Sequence, residues 1–124
     1  MYDLIKAAKA LSDETRLRIL NLLLVRECCV CEVMQVLNVS QTRASRNLNI
    51  LYDAGFLEVR RNGLWAYYSI DKTRLKDHIS LLLNAVELGL LHNDIASLDR
   101  EHLKLARRMG STCCSPLSAE RTPA

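Results

Sequence analysis

Between Cys28 and Ala54 the chain reads CCVCEVMQVLNVSQTRASRNLNILYDA, two short helical patterns set end to end around a tight turn. Val30, Val33, Met34 and Leu37 recur at i, i+3, i+4 and i+7, the stripe of an amphipathic helix. Asn38 suits the left-handed residue that ends a helix, and Ser40, two residues on, suits the cap that starts the next. In the second pattern Ala44, Leu48 and Leu51 form the inward line. Two helices joined so closely read as a helix-turn-helix, and the rest of the chain has to fit around that unit.

That inward line leaves Gln41, Thr42, Arg43, Ser45, Arg46 and Asn47 on other faces, the side-chain types that meet phosphates and base edges. Ala54-Gly55-Phe56 then predicts a helix end, with Gly55 supplying a positive φ and Phe56 folding back on the last turn. LEVRR and LWAYYSI flank Asn62-Gly63, a two-residue hairpin signal between β-prone runs. In that register Leu57 and Val59 share a face with Ala66, Tyr68 and Ile70. Arg60 falls opposite Trp65, a cation–π arrangement, and Arg61 and Asn62 occupy the tip. A helix-turn-helix followed by a basic hairpin describes a winged helix, whose wing arginines bind phosphate or the minor groove.

The net charge of +3 permits a nucleic-acid partner without demanding one, so its position carries the argument. Between Ser40 and Gly63 stand Arg43, Arg46, Arg60 and Arg61 against Asp53 and Glu58. The expected DNA surface is therefore Gln41, Thr42, Arg43, Ser45, Arg46, Asn47, Arg60, Arg61 and Asn62.

On the N-terminal side, Leu4, Ile5, Ala8 and Leu11 predict a helix over residues 3–11, and Ser12 is a candidate cap for a second helix with Asp13 and Glu14 in its first turn. TRLRILNLLLV makes that second helix a core helix. On the C-terminal side, nine of the thirteen residues from Ile79 to Leu91 are apolar, too many for one buried stripe. Such a helix packs on its own domain and on a second copy of the chain. Asn84 and Glu87 interrupt it, and it falls short of the roughly 20 residues a membrane span needs. A further amphipathic stretch is expected from Ser97 to Met109, ending at Gly110. These readings predict a mainly α fold with a small β-hairpin, a winged helix-turn-helix forming a homodimer through its terminal helices. Residues 1–109 make that domain, and residues 110–124 a mobile tail. The start, MYDLIKAAKAL, has no apolar run of signal-peptide length, so the expectation is a cytoplasmic protein with no membrane partner.

Five cysteines in a reducing compartment point to ligation or reactivity rather than disulfide scaffolding. Thiolates select soft ions: copper(I), zinc, cadmium and, by extension, trivalent arsenic and antimony. A single buried cysteine usually means packing, and Cys28 or Cys29 alone would fit a core. Three within four residues, Cys28, Cys29 and Cys31, favour a site, and the start of a helix beside Arg26 favours the thiolate. Residues two apart on a regular helix point opposite ways, so Cys29 and Cys31 clasp one ion only if the turn holding them is irregular. That misfit is a candidate switch. Vicinal Cys113 and Cys114 have little packing use in a polar tail. His78, His92 and His102 read as solvated or interface residues, and Asp77-His78 is adjacent rather than at ligand spacing.

KALSDETRLRILNLL, ECCVCEV and SQTRASRNLNILYDAGFLEVRRNGLWAYYSI together resemble the ArsR/SmtB family of winged-helix metalloregulators over roughly residues 8 to 70. Cys29-Val30-Cys31 resembles its thiolate-sensing branch, the arsenite, antimonite and cadmium/lead repressors. The resemblance implies a homodimeric repressor that holds double-stranded operator DNA and lets go when As(III) or Sb(III) binds its thiolates, with Cys29 and Cys31 as shared ligands. Met34 stands where the arsenite repressors carry a third cysteine, and a thioether substitutes poorly for a thiolate. The third ligand is then Cys28, or Cys113 or Cys114 reaching from the tail. The family's long-helix zinc pattern is not met by Asp77, His78 and His92. Two other classes compete. A redox-sensing or Cd/Pb-sensing repressor keeps the DNA surface, whereas a thiol oxidoreductase lacks the C-x-x-C on a βαβ unit, so no enzyme is expected.

Overall fold

The computed structural model describes residues 1–107. Six helices and a three-stranded antiparallel sheet follow one another as α1 (Tyr2–Leu11), α2 (Glu14–Val25), β1 (Cys28–Cys29), α3 (Val30–Leu37), α4 (Gln41–Asp53), β2 (Glu58–Asn62), β3 (Trp65–Ser69), α5 (Asp77–Leu90) and α6 (Asp94–Leu105). A 3₁₀ turn, Lys72–Arg74, leads into α5.

The cap of α2 is Asp13, not Ser12: the Asp13 carboxylate accepts from Arg16 N at 3.0 Å. Ser12 instead closes α1, donating its hydroxyl to the Lys9 carbonyl. The turn between α3 and α4 follows the sequence closely. Asn38 has φ 55° and ψ 51°, and Ser40 Oγ accepts from Arg43 N, a cap worth about 1 kcal/mol. Gly55, at φ 97°, stops α4 and lets Phe56 N–H donate back to the Leu51 carbonyl.

α2 is the central helix. Ile19, Leu20, Leu22 and Leu23 pack with Ala7 and Ala10 of α1, Ala44, Leu48 and Leu51 of α4, Phe56, and Ile79 and Leu83 of α5. α6 is held on α2 by a bidentate pair between Arg18 and the buried Asp99, at 2.7 and 2.9 Å. Asn21 adds a bond to the Ala96 carbonyl and accepts from Arg100. Burial of Ile79, Leu83 and Val86 accounts for only one stripe of α5; Leu81 and Leu88 stay about 70% exposed, at 69% and 73%. α6 begins at Asp94, earlier than the predicted Ser97, because Asn93 caps it through Ala96 N.

Two expectations about the sheet change. First, it has three strands in the order β1-β3-β2, since Cys28 and Cys29 leave the predicted helix start and pair with Tyr68 and Tyr67. Second, the hairpin turn is Gly63-Leu64 rather than Asn62-Gly63. Asn62 pairs with Trp65, and Gly63 takes the positive φ of 65°. Arg60 therefore faces Tyr67, not Trp65.

Candidate thiolate site and nucleic-acid interface

Successive residues of a strand point to opposite faces, and β1 uses that alternation on its two cysteines. Cys28, fully buried, joins the main core on the side of Tyr68, with Sγ 3.5 Å from the Arg26 carbonyl. Cys29 points the other way into a separate cluster with Cys31, Tyr67 and Trp65. The predicted obstacle to a Cys29–Cys31 pair disappears here. Cys29 is extended, at φ −94° and ψ 170°, and forms the N-cap of α3, while Cys31 sits in its first turn. The strand-to-helix junction brings the two sulfurs to 2.7 Å. Cys28 is not brought to them.

The cation sought near the thiols has another partner. Arg26 Nη1 donates to Glu32 Oε2 at 2.6 Å, and Glu32 Oε1 accepts the Cys29 backbone N–H at 2.9 Å. Glu32 is buried, so this carboxylate relies on both bonds, as buried charge must. Arg26 also donates to the Leu103 carbonyl near the end of α6. Gln35, one turn beyond Cys31 on α3, exchanges two bonds with the Arg107 backbone, at 2.5 and 3.1 Å. The junction carrying the sulfurs is thus tied to the last described residues. Cys113 and Cys114 lie outside them. Among the described residues no group of three His, Cys, Asp or Glu side chains is arranged to hold a metal.

On α4, Thr42, Arg43 and Arg46 are exposed and Gln41 and Ser45 half-buried. Arg43 Nη2 also donates to Thr15 at 3.0 Å. Asn47 is a correction: it is buried, its Oδ1 accepts from Arg16 and its Nδ2 donates to the Arg43 carbonyl, so it braces α4 on α2 and does not face outward. Asn49, not anticipated, is exposed on α4 and receives the Tyr68 hydroxyl at 3.5 Å. No signal distinguished Asn47 from Asn49, because both are polar and one step from the apolar line.

The wing arginines part company. Arg61 pairs with Ala66 on the face that carries Tyr68, and burial pushes the Tyr68 phenol up while the Arg61 charge pulls it partly back. Arg60 lies on the opposite face. Its guanidinium stands 4.4 Å from the Tyr67 ring centroid and donates twice to Glu27, at 2.8 and 3.2 Å. Trp65 stacks on Tyr67 with centroids 5.9 Å apart and planes within 5°. The cation–π contact is present, on the neighbouring ring.

A helix-turn-helix with exposed arginines at the start of its second helix and a basic hairpin beyond it defines a winged-helix regulator of the DNA-binding class. Residues 13–59 match the bacterial regulatory protein, arsR family. Over 112 residues the chain is 38% identical to the arsenic resistance transcriptional regulator ArsR1 of Pseudomonas putida, covering 89% of this chain and 82% of that protein. It is 38% identical over 98 residues to a cadmium resistance regulatory protein CadC homolog of Staphylococcus aureus, covering 77% and 75% respectively. Among solved structures, the homodimeric winged helix-turn-helix domain Mb0332 of Mycobacterium bovis superposes with a TM-score of 0.60 at 29% identity, covering 74% of this chain and 82% of that one. The chain belongs to the ArsR family. Its relatives are transcriptional regulators, and it is a regulator rather than an enzyme. No helix among the described residues is long and apolar enough to cross a membrane.

Proposed function

We propose that this regulator is a metalloid-responsive repressor that holds operator DNA as a homodimer and releases it when As(III) or Sb(III) binds the Cys29 and Cys31 thiolates. The observation that carries the reading is the convergence of these two sulfurs at the β1–α3 junction, one helix ahead of the recognition helix. Two adjacent buried sulfurs supply two of the donors a soft trivalent ion takes. Once the disulfide that Cys31 holds in this structure is reduced, each thiol gives up its proton as its sulfur–arsenic bond forms, and a hydroxide of the arsenite leaves with that proton as water. The arsenic-resistance and cadmium-resistance relatives support a soft-ion ligand.

The third sulfur comes from Cys113 or Cys114. Gln35 shares a face of α3 with Cys31 and holds the Arg107 backbone. Cys113 is six residues further on, a reach of at most about 20 Å from that anchor. Cys28 is the poorer candidate, because turning it to the pair would break β1 from β3. The exposed Leu81 and Leu88 of α5, with Leu4 and Ile5 of α1, supply the apolar surface for the second copy. DNA is held by Thr42, Arg43 and Arg46, with Gln41 and Ser45 beside them and Arg61 and Asn62 on the wing.

The closeness of the sulfurs also supports a redox sensor in which the pair is oxidised. One titration separates the readings. Reduced protein is bound to labelled DNA from upstream of its own gene, and anisotropy is followed as arsenite, antimonite, cadmium, zinc or peroxide is added. Arsenite and antimonite are expected to release the DNA at the lowest concentrations. Release by peroxide alone would replace this reading with the redox one, and release by cadmium alone with a cadmium sensor.

A further inference from the structure

The three strands place one residue each in a single row across the sheet. Cys29 of β1 pairs with Tyr67 of β3, and Tyr67 pairs with Arg60 of β2. Directly opposed residues in a sheet project to the same face, so the row runs from the sulfur pair to the wing through one aromatic ring. The contacts follow it. Tyr67 packs with Cys29 and Cys31, and Arg60 lies over the Tyr67 ring at 4.4 Å. Glu27, two residues before Cys29, reaches across to grip the same guanidinium with both oxygens. Trp65, the only tryptophan in the chain, stacks on Tyr67 and packs against the cysteine cluster.

There is little room in this cluster for an added atom. Cys29, Cys31 and Tyr67 are exposed by 0%, 5% and 8%. Among the described residues, the side chains packed against the sulfurs are the Tyr67 and Trp65 rings, which lie on the sheet.

We propose that Tyr67 and Arg60 are positioning residues that report occupancy of the Cys29–Cys31 pair to the wing. With the pair ligand-free, Tyr67 seats against the sulfurs and holds Arg60 in the grip of Glu27. When the sulfurs take a ligand, Tyr67 is pushed off its seat, the Arg60–Glu27 contact is lost, and the wing changes its hold on DNA. Arg60 therefore serves the sensor, and Arg61 is the wing's own phosphate contact. This rests on Cys29 and Cys31 being the sensing pair, and the test separates the two ideas.

Sodium arsenite is titrated into the reduced full-length protein without DNA, with Trp65 emission and arsenic bound per chain both recorded, and then into the protein–DNA complex. Emission is expected to change in step with arsenic bound, and not at all in Cys29→Ser. Tyr67→Leu should still bind arsenic, while the ratio of DNA affinities without and with arsenite falls at least fivefold. Tyr67→Phe keeps the ring and should restore that ratio. Glu27→Gln, an isosteric change at a half-buried side chain, should lower the ratio in the same direction as Tyr67→Leu. Stoichiometric arsenic binding with unchanged Trp65 emission, or a full ratio in both Tyr67→Leu and Glu27→Gln, would overturn the relay and leave the proposed function standing. Absence of arsenic binding to the wild-type chain would remove that function and the relay with it.

Discussion

The two faces of the small sheet are built from the same kinds of residue and do different work. Three adjacent like pairs, Cys28–Cys29, Tyr67–Tyr68 and Arg60–Arg61, are each split by the pleat. Cys28 and Tyr68 turn into the main core, and Arg61 projects on that side, where its charge acts on the Tyr68 phenol. Cys29, Tyr67 and Arg60 turn outward into the sulfur cluster and its aromatic lid. Chemistry alone cannot tell the members of such a pair apart. Parity along the strand does, and a slip of one residue would exchange their roles.

The largest effect expected from this comparison concerns the cysteines. Cys29→Ser should abolish arsenite-driven DNA release, shifting the required concentration by at least about 100-fold, since each ten-fold is only about 1.4 kcal/mol and a lost sulfur bond exceeds that several times over. Its melting temperature should move less than that of Cys28→Ser, because Cys29 is the N-cap of α3, where a serine hydroxyl can accept from the helix backbone. Cys28→Ser should keep the response and lose stability instead, by about 1–3 kcal/mol, because a hydroxyl replaces a thiol in an apolar setting. Thermal denaturation and anisotropy on both variants read the two columns independently. A response lost equally in both would mean that the faces are not functionally separate.

An intermediate effect separates the arginines. Arg61→Gln should weaken DNA binding and flatten its dependence on salt. The slope of log affinity against log salt falls by about 0.9 for each phosphate contact removed, and by twice that in a dimer. Arg60→Gln should change this slope less and reduce the arsenite response more. Binding isotherms at four salt concentrations distinguish them, and equal slope changes would place both arginines on phosphate.

Much of this arrangement was legible beforehand. The helix-turn-helix, the left-handed Asn38, the Ser40 cap and the Gly55 stop are local decisions of the backbone, and their residues state them directly. The cysteine pair was legible as a cluster, but its geometry was not. Two residues of strand at Cys28–Cys29 are too few to show a period, and they exist because β3 is there to pair with them, a partner some forty residues away. The hairpin turn moved by one residue. Asn62-Gly63 has the stronger local preference, yet the strands close through the Asn62–Trp65 pair, a two-residue change of partner that keeps Ala66 and Tyr68 on the core face and sets Tyr67 opposite Arg60. Asn47 is buried rather than outward because α2 offers Arg16 on that side, which no periodicity in α4 reveals. The surplus of apolar residues on α5 was visible in the sequence, and the single chain leaves Leu81 and Leu88 uncovered, the face proposed for a second copy.

The smallest expected effect tests the inner face by pH. A tyrosine in an unfolded chain ionises near pH 10, and burial raises Tyr68 above that. Above about pH 10 the unfolded chain therefore gives up a proton that the folded chain retains. The contribution is fully present below the unfolded value and is lost as pH rises through the folded one. Arg61 opposes part of the shift by favouring the phenolate. Tyr68→Phe should then flatten the fall in stability between pH 9 and pH 11, measured by urea denaturation. At pH 8 it should cost only about 0.5 kcal/mol, because the bond it removes, to Asn49, is long at 3.5 Å. Adding Arg61→Gln to the wild type should steepen the same fall. An unchanged slope in Tyr68→Phe would mean that this ring is more solvated than its place in the core implies, and that the division between the faces of the sheet is weaker than the pleat suggests.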